Sequence, residues 1–366
     1  MNTQNTKVLI MAAGTGGHVF PALSIAQCLR DQGVITEWLG TRHGMENNLL
    51  ENSGIKIHPV SVKGLKGKGI VRLLLAPFMM LVALVQSMRV IARVKPNCVL
   101  GMGGFVSGPG GLATKLLGKP LLIHEQNAVP GFTNRMLARI SNKVFEAFPR
   151  TFKSSQKVMF TGNPIREDIA ALHQLERTFS PENEPLRILV LGGSQGALAI
   201  NEIVPQIIEQ WDSNSRPTLI HQSGKATLER TKEFYESAGI ELGNSIKVQA
   251  FIEDMADVYM WADLVICRSG ASTVSELAAV GLPSVLIPYP HHSDKQQSHN
   301  AKWLSGAGAA YLLEQSELSR ESLSKILSRL QANRSELVEM SAKAKSLAVC
   351  NASELISEQC LELANG

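Results

Sequence analysis

The stretch Val8-Leu-Ile-Met-Ala-Ala-Gly-Thr-Gly-Gly-His18 decides how this chain is read, because it returns in altered form as Leu186-Arg-Ile-Leu-Val-Leu-Gly-Gly-Ser-Gln-Gly196. Each copy is an apolar, strand-like run followed by a glycine loop that opens a helix-like segment. Glycine lets backbone come close to a ligand, and the helix N-terminus beyond it offers free N–H groups and partial positive charge to an anion such as phosphate. Two such units, nearly half a chain apart, predict two nucleotide-type α/β domains in tandem with a cleft between the lobes.

Working outward, apolar runs of strand length recur at 8–13, 34–39, 98–100, 120–124 and 144–148, separated by segments long enough for helices. The rhythm restarts at 186–191 and continues at 218–221, 247–251, 264–267 and 284–288. Strands alternating with helices predict parallel sheets covered on both faces. Thr161-Gly-Asn-Pro164 lies between the series, and its turn chemistry sets the expected domain boundary near Pro164. A chain of 366 residues suits two cores rather than one. With 44% hydrophobic residues and a formal net charge of +4, it reads as a globular protein too weakly basic for nucleic-acid binding. Five scattered cysteines read as buried thiols in a reducing cytoplasm, and the polar start running straight into a strand leaves no room for an export signal.

One segment breaks the pattern. Lys63-Gly-Leu-Lys-Gly-Lys-Gly-Ile-Val-Arg72 leads into an uninterrupted apolar run from Leu73 to Val85, with Arg89, Arg93 and Lys95 behind it. As a helix the apolar run spans roughly 20 Å, short of the ~30 Å hydrocarbon core, and Pro77 interrupts it. A buried core helix with solvated basic ends explains it. So does a patch that attaches peripherally to an anionic membrane surface.

The chemistry-bearing motifs narrow the ligand. A dinucleotide fingerprint needs a third glycine and an acidic residue closing the second strand. Here Val19 holds the glycine position and Trp38-Leu-Gly-Thr41 carries no carboxylate. A phosphorylated ligand other than NAD fits better, and neither loop has the Lys-Ser/Thr ending of a P-loop. A third glycine cluster, Gly101-Met-Gly-Gly-Phe-Val-Ser-Gly-Pro-Gly-Gly111, belongs at the same sheet edge as Gly14, and two anion-friendly loops there suggest a pyrophosphate. Strand-to-helix packing is its bland explanation. His18 sits where the positive helix end favours a neutral imidazole, a candidate base, although a lone histidine is commonly structural. His124-Glu-Gln-Asn127 adds polar groups at that edge, Asn127 suiting either a sugar hydroxyl or a strand-end cap. In the second lobe Arg268-Ser-Gly-Ala-Ser-Thr-Val-Ser-Glu276 opens a helix whose Glu276 suits ribose hydroxyls or the helix dipole, and Gln296-Gln297 offer amides to a sugar or to solvent.

Gly14-Thr-Gly-Gly-His-Val-Phe-Pro21, Gly101 to Gly111, His124 to Asn127, Gly192-Gly-Ser-Gln-Gly196 and Arg268 to Glu276 together closely resemble the MurG family, bacterial transferases of glycosyltransferase family 28 that make lipid II. The match runs through nearly the whole chain in order. It implies the GT-B fold, two Rossmann-like doubly wound parallel-sheet domains facing a cleft. Residues 1–164 would bind the acceptor and the membrane, 165–346 would bind UDP-N-acetylglucosamine (UDP-GlcNAc), and a C-terminal helix at about 347–366 would pack back on the first domain.

By position, the resemblance implies that Thr15, Gly16 and Gly17 reach the donor and that Asn127 meets its sugar. It places Arg166 and Ser194 by the nucleotide and diphosphate, and Ile252 on uracil through its backbone. Ala271, Ser272, Thr273, Val274, Ser275 and Glu276 would hold phosphate and ribose. Gln296 would meet the N-acetylglucosamine, although His291-His-Ser-Asp294 is one residue longer than the family pattern and lets Gln296 and Gln297 exchange roles.

The implied reaction is an inverting displacement that gives lipid II and UDP from UDP-GlcNAc and undecaprenyl-pyrophosphoryl-MurNAc-pentapeptide (lipid I). His18 and Glu276 are its catalytic candidates, and Gly14, Gly103 and Gly104 would hold the acceptor's pyrophosphate. No cofactor and no metal are implied, in keeping with the lack of an Asp-x-Asp pair. The expected place is the cytoplasmic face of the inner membrane, beside other cell-wall and division enzymes. A UDP-GlcNAc 2-epimerase of the same plan, or a non-catalytic nucleotide-sugar-binding scaffold, are the alternatives.

Overall fold

The structure, a computed structural model, describes residues 5–51, 53–62, 70–193, 196–212, 215–292 and 294–365. The chain divides into two compact units, Met1–Arg166 with Val349–Gly366, and Glu167–Ala348.

The first unit carries strands β1 (Lys7–Met11), β2 (Ile35–Thr41), β3 (Lys56–Val60), β4 (Cys98–Gly101), β5 (Leu121–Glu125), β6 (Lys143–Glu146) and β7 (Val158–Phe160). Between them run α1 (Gly16–Asp31), α2 (Met45–Leu50), α3 (Ile70–Val94), α4 (Ser107–Leu116) and α5 (Phe132–Leu137). The strands form one parallel sheet in the order β3-β2-β1-β4-β5-β6-β7, with Val8 in register with Thr36 on one side and Cys98 on the other. Strand alternation sends successive β1 side chains to opposite faces. Val8 and Ile10 pack with Ile25 and Leu29 of α1, whereas Leu9 and Met11 pack with Ile91 of α3 and Ala113 of α4.

The second unit repeats the plan with β8 (Arg187–Leu191), β9 (Thr218–Gln222), β10 (Ile246–Gln249), β11 (Leu264–Cys267), β12 (Ser284–Leu286) and β13 (Ala310–Leu312). Its helices are α6 (Glu167–Ala171), α7 (Leu198–Ile208), α8 (Leu228–Ser237), α9 (Met255–Trp261), α10 (Ala271–Val280), α11 (Gln296–Gly306), α12 (Arg320–Ala332) and α13 (Arg334–Leu347). The parallel order is β10-β9-β8-β11-β12-β13. Both sheets therefore reverse direction beside their first strand, between β1 and β4 and between β8 and β11. In open α/β sheets the crevice beyond the strand ends at such a reversal is where ligands bind.

Two expectations need correction. The apolar run after residue 72 is not a short segment stopped by Pro77: α3 runs through that proline for 25 residues. Nor is it a wholly buried helix. Ala83, Ser87, Ile91 and Val94 form a buried stripe at helical spacing, while Phe78, Met80, Leu81 and Val85 stay exposed. Ala76–Val94 is by length and composition apolar enough to cross a membrane, yet the buried stripe fastens it to the first unit. Residues 63–69, the basic lead-in, lie outside the described residues.

The second correction concerns the tail, which is not one helix from residue 347. Helix α13 ends at Leu347, the chain is extended at Ala348, and α14 (Ala352–Asn365) starts afresh. Ile356, Cys360 and Leu361 of α14 join the core shared by β1 and α1.

Candidate active site

In the first unit, the loops after β1 and β4 meet at the sheet reversal. Thr15 stands at the N-terminus of α1 and makes no side-chain capping bond to it, and the Thr15 carbonyl accepts from the His18 and Val19 amides. His18 is thus fixed on the first helical turn, half-buried. Its ring lies against Gly103, where an added Cβ would stand 2.6 Å from Nδ1. Beside it, any Cβ on Gly104 would run into the carbonyl of Ala13, and both glycines hold left-handed φ values, +100° and +79°. Only glycine fits at either place. Sequence reading assigned Gly103 and Gly104 to an anion; in the structure Gly103 seats the histidine and Gly104 lies against the Ala13 backbone.

The segment after β5 completes this edge. The His18 Nδ1 lies 3.0 Å from Gln126 Oε1, and Gln126 Nε2 donates to the Met102 carbonyl at 2.8 Å. The Glu125 carboxylate accepts from the Asn127 and Gly131 amides and from Asn134 Nδ2, so it braces the loop that carries Asn127. His124 is buried, and its Nε2 donates to the Gly162 carbonyl. Desolvation pushes His124 down to about 4, which keeps it neutral. Arg166 closes the N-terminal stretch of this unit and is half-buried.

In the second unit, the loop after β8 rests on a buried polar network. Asn201 on α7 donates to the Ser223 carbonyl and to the hydroxyls of Thr227 and Thr231, and its Oδ1 faces His221 Nε2 at 3.1 Å. His221 Nδ1 in turn lies 3.0 Å from the Tyr235 hydroxyl, and burial pushes this histidine down to about 3. Ser194 and Gln195 lie outside the described residues.

The run Ala271 to Glu276 occupies the first turns of α10, directly beyond β11. Among the described residues the buried hydroxyl of Ser272 has no protein partner, and Ser275 donates to the Ala271 carbonyl. Glu276 accepts from the buried Tyr259 phenol at 2.8 Å. The Ile252 amide is taken by Gln222 Oε1 at 2.9 Å, which leaves any backbone contact of Ile252 to its carbonyl. Gln297 Oε1 accepts the Tyr289 amide, while Gln296 opens α11 next to Lys295, whose φ of +49° turns the chain sharply. Arg268 is clamped to the carbonyls of Ile287 and Pro288 and to Gln315, so it shapes the loop after β12.

Three supporting side chains were not given a role from sequence: Gln126, Tyr259 and Gln222. Gln126 stood inside a quoted motif. Tyr259 and Gln222 carry no motif at all, because their partners are 17 and 30 residues away in the chain.

Comparison with known proteins agrees across the chain. Residues 8–146 match the Glycosyltransferase family 28 N-terminal domain and residues 187–356 the Glycosyltransferase family 28 C-terminal domain. The chain is 46% identical to the UDP-N-acetylglucosamine--N-acetylmuramyl-(pentapeptide) pyrophosphoryl-undecaprenol N-acetylglucosamine transferase of Shewanella denitrificans, over 100% of this chain and 99% of that one. It is 47% identical to the transferase of the same name from Azotobacter vinelandii, over 98% and 99%. Among solved structures, Acinetobacter baumannii MurG superposes with a TM-score of 0.82 at 42% identity, covering 98% of this chain and 99% of that one. The UDP-GlcNAc 2-epimerase of Neisseria meningitidis, bound to UDP-GlcNAc, has a TM-score of 0.68 at 15% identity, covering 98% and 100%, and shares the fold alone.

Proposed function

The chain belongs to glycosyltransferase family 28, and from that premise we propose that it moves N-acetylglucosamine from UDP-GlcNAc to the C4 hydroxyl of the MurNAc in lipid I, giving lipid II and UDP. The observation that carries the chemistry is the His18 imidazole, set at a helix N-terminus between Gly103 and Gln126. A sugar hydroxyl is a poor nucleophile until it loses its proton, and His18 is the group that takes it. Gly14, Gly103 and Gly104 offer backbone to the acceptor's pyrophosphate, while Thr15, Gly16, Gly17 and Asn127 serve the donor's sugar end.

The second unit binds the nucleotide. The departing diphosphate gains negative charge, which the α10 N-terminus and the buried Ser272 hydroxyl stabilise. Thr273, Val274 and Ala271 line the same turn. Glu276, aimed by Tyr259, accepts the ribose hydroxyls, and the Ile252 carbonyl accepts from uracil. Arg166 and Ser194 belong to the diphosphate end, and the amides of Gln296 and Gln297 to the sugar. Attachment to the cytoplasmic face of the membrane runs through the exposed face of α3 and its neighbours.

The deciding experiment incubates the protein with labelled UDP-GlcNAc and a short-chain lipid I analogue. Label passes to the lipid with one UDP released per transfer, and His18→Ala cuts turnover roughly 10²- to 10⁴-fold with donor binding intact. Free N-acetylmannosamine formed from UDP-GlcNAc alone would instead identify an epimerase, and near-normal turnover of His18→Ala would remove the base.

A further inference from the structure

The geometry points to Gln126 as a positioning residue that fixes which nitrogen of His18 carries the proton, an inference that rests on the reading of His18 as the base. Gln126 is 1% exposed, one residue past the end of β5, so its amide is shielded from competing water. One end of that amide faces the Met102 carbonyl at 2.8 Å, and a carbonyl accepts only, so the facing atom is Nε2. The other end, Oε1, also accepts only, and it faces His18 Nδ1 at 3.0 Å. A flipped amide would set two oxygens against each other at one end. His18 therefore holds its proton on Nδ1 and keeps the Nε2 lone pair for substrate.

Each neighbour reinforces this assignment. The Asn163 side chain donates to the Gln126 carbonyl at 3.0 Å, and the Met102 amide donates to the Met11 carbonyl at 2.8 Å, so both ends of the relay are tied to the sheet. Gly103 supports the flat of the ring, where any larger residue would push it off Gln126. His124, whose charged form would repel a charged His18, is held neutral by burial. In the reaction the acceptor hydroxyl forms the new C–O bond at the anomeric carbon, the bond to UDP breaks with its electron pair leaving on UDP, and the hydroxyl proton goes to Nε2. The proton on His18 Nδ1 stays there throughout, donated to Gln126 Oε1. A neutral amide orients the ring without the added charge that a carboxylate would place behind it.

The test reads the tautomer directly. Full-length protein labelled with isotopic nitrogen in histidine gives long-range proton–nitrogen spectra in which protonated and bare ring nitrogens separate widely, and the His18 signals are those missing from His18→Gln. Wild type is expected to show protonated Nδ1 and bare Nε2. In Gln126→Leu the proton shifts toward Nε2, and kcat falls roughly ten- to a hundredfold while the KM for UDP-GlcNAc stays within about twofold. In Gln126→Glu the buried carboxyl carries a proton, which it donates to the Met102 carbonyl, so its other oxygen still accepts from Nδ1 and the tautomer is kept.

A wild-type spectrum with the proton on Nε2 overturns the inference, as does Gln126→Leu with tautomer and kcat both unchanged. If Gln126→Leu does not fold, the wild-type spectrum and Gln126→Glu decide. Normal turnover of His18→Gln would remove the base reading while leaving the tautomer measurement to stand or fall on its own.

Discussion

At the scale of single residues, the proposed functional groups are aimed by side chains that no motif announces. Glu276 is the clearest case, because the Tyr259 phenol donates to one of its oxygens from a position that is 1% exposed. That bond fixes the carboxylate before ligand arrives, and preorganisation lowers the cost of binding. Tyr259→Phe keeps the packing and deletes the donor. A neutral-to-charged hydrogen bond of this kind is worth about 1.5–3 kcal/mol, so the KM for UDP-GlcNAc should rise on the order of tenfold with kcat little changed. Steady-state kinetics with the lipid I analogue checks this, and an unchanged KM would show that Glu276 is positioned by its other neighbours. Sequence reading reached Glu276 because it closes a hydroxyl-rich helix start. It missed Tyr259 because contact across a fold leaves no trace in spacing. Gln126 falls between, printed in a motif but mute until Met102 and His18 stand on either side of it.

At the scale of elements, the strands next to β1 and β8 were legible as apolar runs because they are buried on both faces. The strands β3, β7 and β13 were not, and all three are sheet edges. An edge needs less apolar patterning and tolerates what a centre forbids, as Pro59 within β3 illustrates. Helix α14 was legible as a helix, but its periodicity did not say which unit it joins, since its apolar stripe fits any core; only the family resemblance sent it back to the first unit, where it packs on β1 and α1. The two sheets also share a device that sequence alone hid: each buries a neutral imidazole near the carboxyl end of a strand, His124 on β5 and His221 on β9. Burial holds them near 4 and 3, against 6.5 for a free histidine. Between pH 6.5 and 4 the unfolded chain therefore takes up protons that the native chain refuses. Stability falls as pH falls through that window, by about 1.4 kcal/mol per pH unit for each histidine. Urea midpoints measured from pH 7.5 to 5 should show the loss, and His124→Gln should flatten it for the transition of the first unit. An equal slope in that variant would mean that other groups govern the acid side.

At the scale of the whole molecule, the question is what the exposed apolar side chains of the first unit are for. Phe78 and Leu81 of α3, Leu112 and Leu116 of α4, and Phe132 and Met136 of α5 are all exposed, with Phe132 at 72%. The three helices are neighbours, α3 against α4 and α4 against α5. Large apolar side chains exposed together on adjoining helices point to a contact site rather than chance exposure. The same helices carry exposed Arg89, Arg93, Lys115 and Arg135, and none of the three contains an acidic residue. An anionic bilayer surface attracts each such cation by about 1 kcal/mol within a Debye length, and apolar side chains then insert beside the headgroups. The overall charge of +4 is too small to show this, because it averages a one-sided distribution over the chain. Wild-type protein should co-sediment with vesicles containing anionic lipid at low salt and release partly as salt screens the charges. The double substitution Leu116→Ser with Phe132→Ser should weaken partition at least tenfold. With a water-soluble acceptor analogue its turnover should stay near wild type, because neither side chain lies among the groups that surround His18. Wild-type protein that leaves such vesicles entirely at physiological salt would refute the attachment surface, and equal partition of the double variant would move it elsewhere on the molecule.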